Sequence, residues 1–191
     1  QPRFTRSDER PQDTPDDDGN PVIVAGFGRF GQIVVRLLYA NRIGATVLDH
    51  DPEIIDTLRQ FGFKVFYGDA TRLDLLEAAG AAKAKVLVVA IDDPQRSLAL
   101  VDAARQHFPQ LQIVARARDL PHAMELMNRE VAVIERETFH SALRLGEETL
   151  KALGRPAYAA RKKTLIFRQH NEALLREIHA HWSENIEKRI T

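Results

Sequence analysis

From residue 21 onward, short β-branched runs alternate with longer stretches of helical period, and this alternation leaves the chain very few architectures. The runs fall at residues 22–25, 45–48, 64–67, 86–91, 112–115 and 131–134. Strand and helix taken in turn build βα units on a parallel sheet. Six such runs in about 115 residues are the size of one doubly wound, Rossmann-like α/β domain. Local punctuation agrees. Asp51-Pro52 and Asp93-Pro94 each open a helix with a capping carboxylate followed by proline, and Thr71 and Thr138 are placed to cap two more.

The flanks differ from this core. Residues 1–20 carry three basic and six acidic side chains and Phe4 as their only aromatic, a composition that cannot offset the entropy of ordering a backbone. They read as a flexible acidic linker. Because the chain opens with Gln and a linker joins something, it is expected to be a piece of a longer protein. Residues 21–140 form the expected nucleotide-binding domain and 141–191 a helical extension. After Gly154, Pro156 suits a first helical position and the following 35 residues contain neither Gly nor Pro, which predicts one long helix. Phe167, Leu174, Ile178, Trp182 and Ile186 recur on it at helical spacing as an apolar stripe. Such a stripe packs on its own domain or crosses to a second subunit, and dimerisation is the favoured expectation.

Charge and composition narrow the function. The chain holds 27 Lys plus Arg against 27 Asp plus Glu, with excess positive charge only in the last quarter, where ten basic side chains face six acidic ones. A nucleic-acid stripe is not expected, while a small anion near the C-terminal segment is. With no Cys there is no thiolate nucleophile or Cys-type zinc site. The longest purely apolar run, residues 86–91, is far short of the roughly 20 residues that cross a bilayer.

Gly26-Phe27-Gly28-Arg29-Phe30-Gly31 follows the first strand directly and opens a helix, where a glycine-rich turn can take up phosphate. The first glycine allows the tight turn, the second lets phosphate approach the backbone, and the third packs helix on strand. Asp49 ends the second strand 23 residues after Gly26, placed to accept hydrogen bonds from both ribose hydroxyls and to repel a 2′-phosphate. Gly26, Gly28, Arg29, Phe30, Gly31 and Asp49 are therefore candidates for an adenine nucleotide, AMP or NAD(H). His50, beside Asp49, joins them. Asp69 and Ala70 after the third strand and Asp92 after the fourth lie on the carboxyl edge where ligands of open sheets bind; Asp92 reads equally as ligand or turn residue. No catalytic residue is assigned: no second domain remains to place a substrate, and no serine elbow or His-Glu-x-x-His occurs. His179 and His181, two apart on a helix, point to different faces and do not suggest a metal pair. The chain reads as a sensor that binds a nucleotide without consuming it.

VIVAGFGRFGQ, TVLDHDP, KVFYGDATRLDLLEAAGAAKA, VVAIDDP, IVARARD and ERETF together resemble the RCK, or KTN, regulatory domain of potassium transport systems. Among these the chain is most similar to the cytosolic domain of Kef-type glutathione-gated potassium efflux antiporters, over residues 21 to about 175. The resemblance implies a dimeric gating domain holding AMP or NAD(H), tethered to a membrane antiporter on the cytoplasmic side of a bacterial inner membrane. Glutathione would keep the pathway closed and glutathione adducts would open it, exchanging potassium for protons. A flavodoxin-like quinone reductase often accompanies such systems.

Carried over residue by residue, the implied glutathione site uses Arg36, Phe61, Arg136 and Asn171. Two guanidinium groups can hold the carboxylates of a tripeptide. By their own chemistry Arg36, off an apolar face of Ile33, Val34, Leu37 and Leu38, and Arg136 read equally as solvated arginines. Phe61, before Gly62, reads first as a core residue. Asn171, four after Phe167 and three before Leu174, either recognises a ligand or sets dimer register. Two other functions compete, a nucleotide-binding subunit of a potassium uptake system and a nicotinamide-dependent oxidoreductase. An acidic lead-in suits a tethered domain better than an uptake subunit that starts at its first strand.

Overall fold

The computed structural model describes residues 19–190, with side chains through residue 185. Apart from Gly19 and Asn20, the expected linker lies outside the described residues, as does the side chain of Ile186. Six strands, β1 (Val22–Ala25), β2 (Ala45–Asp49), β3 (Lys64–Tyr67), β4 (Val86–Val89), β5 (Gln112–Ala117) and β6 (Val133–Arg136), form one sheet. Between them run α1 (Gly31–Ala40), α2 (Pro52–Gln60), α3 (Leu73–Ala78), α4 (Pro94–His107) and α5 (Leu120–Asn128), followed by α6 (Phe139–Ala152) and α7 (Ala157–Ile190). The order is β3-β2-β1-β4-β5-β6 with every pairing parallel. This is the expected doubly wound, Rossmann-like α/β fold with a long C-terminal helix. Its strand order reverses direction between β1 and β4, which opens a crevice at their carboxyl ends.

Strand periodicity divides the core in two. Ile23 and Ala25 face one layer with Leu76 of α3, Leu100 of α4 and Leu126 of α5. Val22 and Val24 face the other with Val35 of α1 and Ile55 and Leu58 of α2. Each fully buried Leu, Ile or Val contributes about 1.5–3 kcal/mol relative to exposure, which is why both faces of the central strands are apolar.

Several details depart from the sequence expectations for local physical reasons. β4 stops at Val89 because β1 turns away at Gly26, and the carbonyl of Ala90 would lie 2.7 Å from any Cβ placed there. β6 begins at Val133 because the Val131 amide donates to the Leu126 carbonyl at the end of α5. Thr71 does not cap α3. Its amide and hydroxyl both donate to Asp69 Oδ1, at 2.9 and 2.8 Å, and the helix starts two residues later. Thr138 precedes α6 but its side chain makes no capping bond. Asp51 and Asp93 cap as expected, accepting from the amides of Glu53 and Arg96. Asp119, which the sequence reading passed over, caps α5 by accepting from the His122 amide at 2.9 Å.

Helix rotation also departs from expectation. On α1 the buried positions are Gly31 and Val35, while Ile33 and Leu37 are exposed. A Cβ on Gly31 would lie 1.8 Å from the Gly26 carbonyl, so that close approach turns Gly31, and with it Val35 four residues on, toward the sheet. Pro156 sits one residue before α7, and its carbonyl accepts from Ala160. On α7 the side turned to its own domain carries Ala160, Thr164, Asn171, Leu175, His179 and Ser183. His179 meets Asn128 at 2.8 Å and Arg161 meets Glu147 of α6 at 3.2 Å. The apolar stripe of Phe167, Leu174, Ile178 and Trp182 lies beside that face and stays largely exposed.

Candidate functional site

The crevice at the sheet's carboxyl edge holds a cavity of about 320 Å³ walled by the glycine turn, the ends of β2 and β4, and the start of α4. Gly26 has φ +95° and its Cα faces the Ala90 carbonyl, so both conformation and space demand glycine there. Gly28 has nothing within 4 Å of where a Cβ would stand, which leaves its backbone open to the cavity. No side chain caps the start of α1, and its first turn has no acidic residue. Uncapped amides and the helix dipole together favour an anion at that point.

Asp49 is positioned from two sides. Its side chain is only 8% exposed. Oδ2 accepts from the Phe27 amide at 2.7 Å and Oδ1 from the Asp51 amide at 2.8 Å. A carboxylate so held still has lone pairs for hydroxyl donors arriving from the cavity. His50 lies 3.9 Å from it with its ring mostly exposed. Arg29, Ala70 and Asp92 also border the cavity.

Phe30, Gly31 and Asp69 are not among the residues that line the cavity, although Asp69 is exposed between the lining residues Gly68 and Ala70. Phe30 lies under the Arg116 guanidinium at 5.5 Å, and Gly31 is buried in the helix packing. Asp69 accepts from Thr71 and lies 3.8 Å from Arg96. The Thr71 hydrogen bonds, backbone first, hold the Asp69 carboxyl below the usual range.

Arg116 is the residue the sequence reading missed. Its side chain is 6% exposed, and it reaches Asp92 and Glu137 Oε2, the latter at 2.6 Å, and donates to the Ala90 carbonyl at 3.2 Å. Asp92 is thereby engaged by a cation, and Arg116 sets positive charge on the cavity wall. The readable signal was an arginine inside an otherwise apolar strand, IVARARD, at the carboxyl edge. Arg96, at the first turn of α4, borders the same cavity.

The second candidate set is only partly assembled. Arg136 Nη2 donates to Asn171 Oδ1 at 2.6 Å, joining β6 to α7, and its guanidinium lies 3.7 Å over the Phe139 ring. Burial draws Arg136 down from its ordinary value, with Glu135 and Glu172 opposing. Arg36 is exposed on α1 and enters none of the ion pairs of the described residues. Phe61, at the end of α2, is 73% exposed, so it is not the core residue its own chemistry suggested. A concavity of about 560 Å³ runs along Phe167, Asn171 and Leu174, but its walls come from α7 alone, which makes it an open face rather than an enclosed site.

Beneath the carboxyl edge, His122 is buried between α4 and α5. Its Nδ1 accepts from the Arg118 amide at 3.0 Å, leaving Nε2 to donate to Ser97 Oγ at 3.0 Å. That pattern requires the neutral ring, and burial lowers its pKa accordingly. Among the described residues no helix is long and apolar enough to cross a membrane.

Comparison with known proteins agrees with the fold. The TrkA-N domain family matches residues 22–136, and the family described as the potassium efflux system KefB C-terminal domain matches residues 141–190. The glutathione-regulated potassium-efflux system protein KefC of Salmonella arizonae is 56% identical over 169 residues, which are 88% of this chain. This chain spans 27% of the length of that curated relative. A solved structure of the Shewanella denitrificans Kef CTD in AMP bound form is 50% identical, with a TM-score of 0.78, covering 84% of this chain and 98% of that one. The TrkA-N domain of the inner membrane protein ybaL from Escherichia coli, 24% identical with a TM-score of 0.63 over 66% of this chain and 94% of its own, shares the fold. A family match across the whole sheet, together with a half-identical structure matched almost end to end, makes this chain a member of the TrkA-N family and a Kef-type RCK regulatory domain.

Proposed function

We propose that this chain is the ligand-sensing gating domain of a potassium:proton efflux antiporter, that it binds AMP or NAD(H), and that it is not an enzyme. In this reading glutathione holds the pathway closed and glutathione adducts open it. The observation that carries the reading is the Arg136–Asn171 pair. It places a partly buried guanidinium with unused donors at the junction of the sheet domain and the terminal helix. The match of residues 141–190 to a potassium efflux family supports efflux over uptake.

The nucleotide is a fixture of the sheet. Its phosphate rests at the start of α1 beside Gly28 and Arg29, and its ribose hydroxyls donate to Asp49. Gly26 and Gly31 shape the turn, Phe30 supports Arg116 behind it, and His50, Asp69, Ala70 and Asp92 complete the surroundings of sugar and base. The AMP-bound relative supports a mononucleotide here.

Glutathione carboxylates pair with Arg136 and Arg36, and Asn171 hydrogen-bonds the peptide. A ligand shifts a gate only through unequal affinity for its two states. An adduct too bulky to leave the exposed Phe61 in place supplies that inequality. The uncovered stripe on α7 meets a second copy of the chain in a homodimer, and the domain hangs from the antiporter on the cytoplasmic side of the inner membrane, where a quinone reductase of flavodoxin type docks as an ancillary subunit. Nucleic acid is not a partner.

Calorimetry with a bulky glutathione conjugate tests the proposal. The parent chain binds it and Arg136→Ala does not. Equal binding by the two, or turnover of a nicotinamide dinucleotide with any substrate, overturns it.

A further inference from the structure

The two candidate sites meet at one peptide. Arg136 and Glu137 are neighbours at the end of β6, and each serves a different site. Arg136 turns to Asn171 of α7. Glu137 turns to Arg116 of the cavity wall, accepting a hydrogen bond at Oε2 from Nε at 3.2 Å, with Nη2 of the same guanidinium 2.6 Å from that oxygen as an ion pair. Its Oε1 lies 3.9 Å from Arg29 Nη2.

The two arginines hold Glu137 with unequal grip. Arg116 is buried, braced by Asp92, the Ala90 carbonyl and the Phe30 ring, and has no room to leave. Arg29 is 93% exposed on the glycine turn, and its pairing with Glu137 is long, solvated and therefore weak. It stands on the glycine turn and borders the cavity, and a doubly charged phosphate there is the stronger competitor for it. The Glu137 amide donates to the Ala117 carbonyl at 2.9 Å, which fixes the end of β6 on β5, so what changes with the Glu137 contacts is how the side chains of Glu137 and of the preceding Arg136 are presented on that fixed backbone.

We propose that Glu137 is a positioning residue that couples the nucleotide site to the Arg136–Asn171 site. A phosphate at the glycine turn draws Arg29 away, Glu137 settles on Arg116 alone, and the end of β6 then holds Arg136 ready for a carboxylate ligand. The inference rests on the reading that adenosine phosphate fills the cavity and a glutathione adduct pairs with Arg136. The coupling is reciprocal, because each ligand changes the other's affinity by the same factor.

The test measures the affinity of the purified chain for a bulky glutathione conjugate with no nucleotide, with saturating AMP and with saturating adenosine, which lacks the phosphate. The expected result is binding about two- to fivefold tighter with AMP and unchanged with adenosine. Glu137→Gln should still bind both ligands but lose the AMP effect, and Glu137→Asp should recover part of it. If Glu137→Gln melts early, Arg29→Gln, altered at an exposed side chain, replaces it at AMP concentrations that saturate the variant, and it too should lose the effect. Equal affinity with and without AMP, equal effects of AMP and adenosine, or an AMP effect that survives both variants overturns the inference alone. A conjugate that binds under no condition overturns the functional reading and the inference with it.

Discussion

The nucleotide cavity and the Arg136–Asn171 face are built on opposite principles. The cavity is finished within one chain: its glycines are fixed by backbone contact, Asp49 is held by two amides, and Arg116 has a carboxylate on either side. The second set has only the Arg136–Asn171 hydrogen bond between its own members among the described residues; Phe61 and Arg36 stand exposed on α2 and α1, and the apolar stripe of α7 has solvent over much of it. The difference teaches where each residue's worth lies. In the proposed reading, cavity residues carry stability and ligand binding together, so changing them should move both. The second set carries less of the fold, through the Arg136 link from β6 to α7 and its contact with Phe139, so in the proposed reading it should be open to tuning for a ligand at a smaller structural cost.

Substitutions sharpen or break that comparison. The largest expected effect is Gly31→Ala, since a Cβ 1.8 Å from the Gly26 carbonyl forces α1 off the sheet. The loss should reach or exceed the upper end of the ~1–3 kcal/mol typical of overpacking, read from urea denaturation, and AMP binding should disappear. Arg116→Met removes the cation from Asp92 and leaves Glu137 only the long contact with Arg29. Both carboxylates reach water, so the cost should be about 2–3 kcal/mol, below the ~3–5 kcal/mol of a fully buried pair.

Asp49→Ala strips the partners from the Phe27 and Asp51 amides and should cost about 1–3 kcal/mol with loss of AMP binding. Asn171→Ala should change stability by less than about 1 kcal/mol yet weaken the glutathione conjugate roughly tenfold, a loss of about 1.4 kcal/mol in binding. Comparable losses of stability from Asn171→Ala and Asp49→Ala, side by side in one denaturation series, would break the contrast.

The smallest effect is on pH. His122 takes up a proton less readily in the folded chain than in the unfolded one, because of burial, with Asp119 and Asp93 opposing and Arg116 and Arg129 assisting. The unfolded chain therefore binds more protons as the pH falls through about 6.5, and stability, complete above that pH, declines toward acid. Protonation of Nδ1 would also break its bond from the Arg118 amide. A His122→Gln variant should flatten this slope in melting curves recorded between pH 7.5 and 5; a slope that persists assigns the titration elsewhere.

Legibility differed between the same two regions. Val22, Val24 and their counterparts lie in short β-branched runs, so the sheet could be read locally, and Gly26, Gly28, Gly31 and Asp49 stand within or beside those runs. Arg116 escaped because a cation inside a strand has no meaning until Asp92 and Glu137, 24 and 21 residues away, fold beside it. The apolar face of α1 was misjudged for a related reason. Ile33 and Leu37 satisfy the helical period, but the close packing of Gly31 decides which side of the helix meets the sheet. Thr71 misled because a hydroxyl before a helix can cap it or close a turn on Asp69, and both have the same local sequence.

Sequence alone determined the order of strands and helices, the glycine turn and the carboxylate at the end of β2, because each depends on residues that are neighbours or one βα unit apart. Only the tertiary structure decided the rotation of α1 and α7, the clasp of Arg116 by two loops, and the meeting of Arg136 with Asn171 across 35 residues. These depend on which surfaces bury the most apolar area and leave no buried charge unpaired, a balance struck over the whole chain.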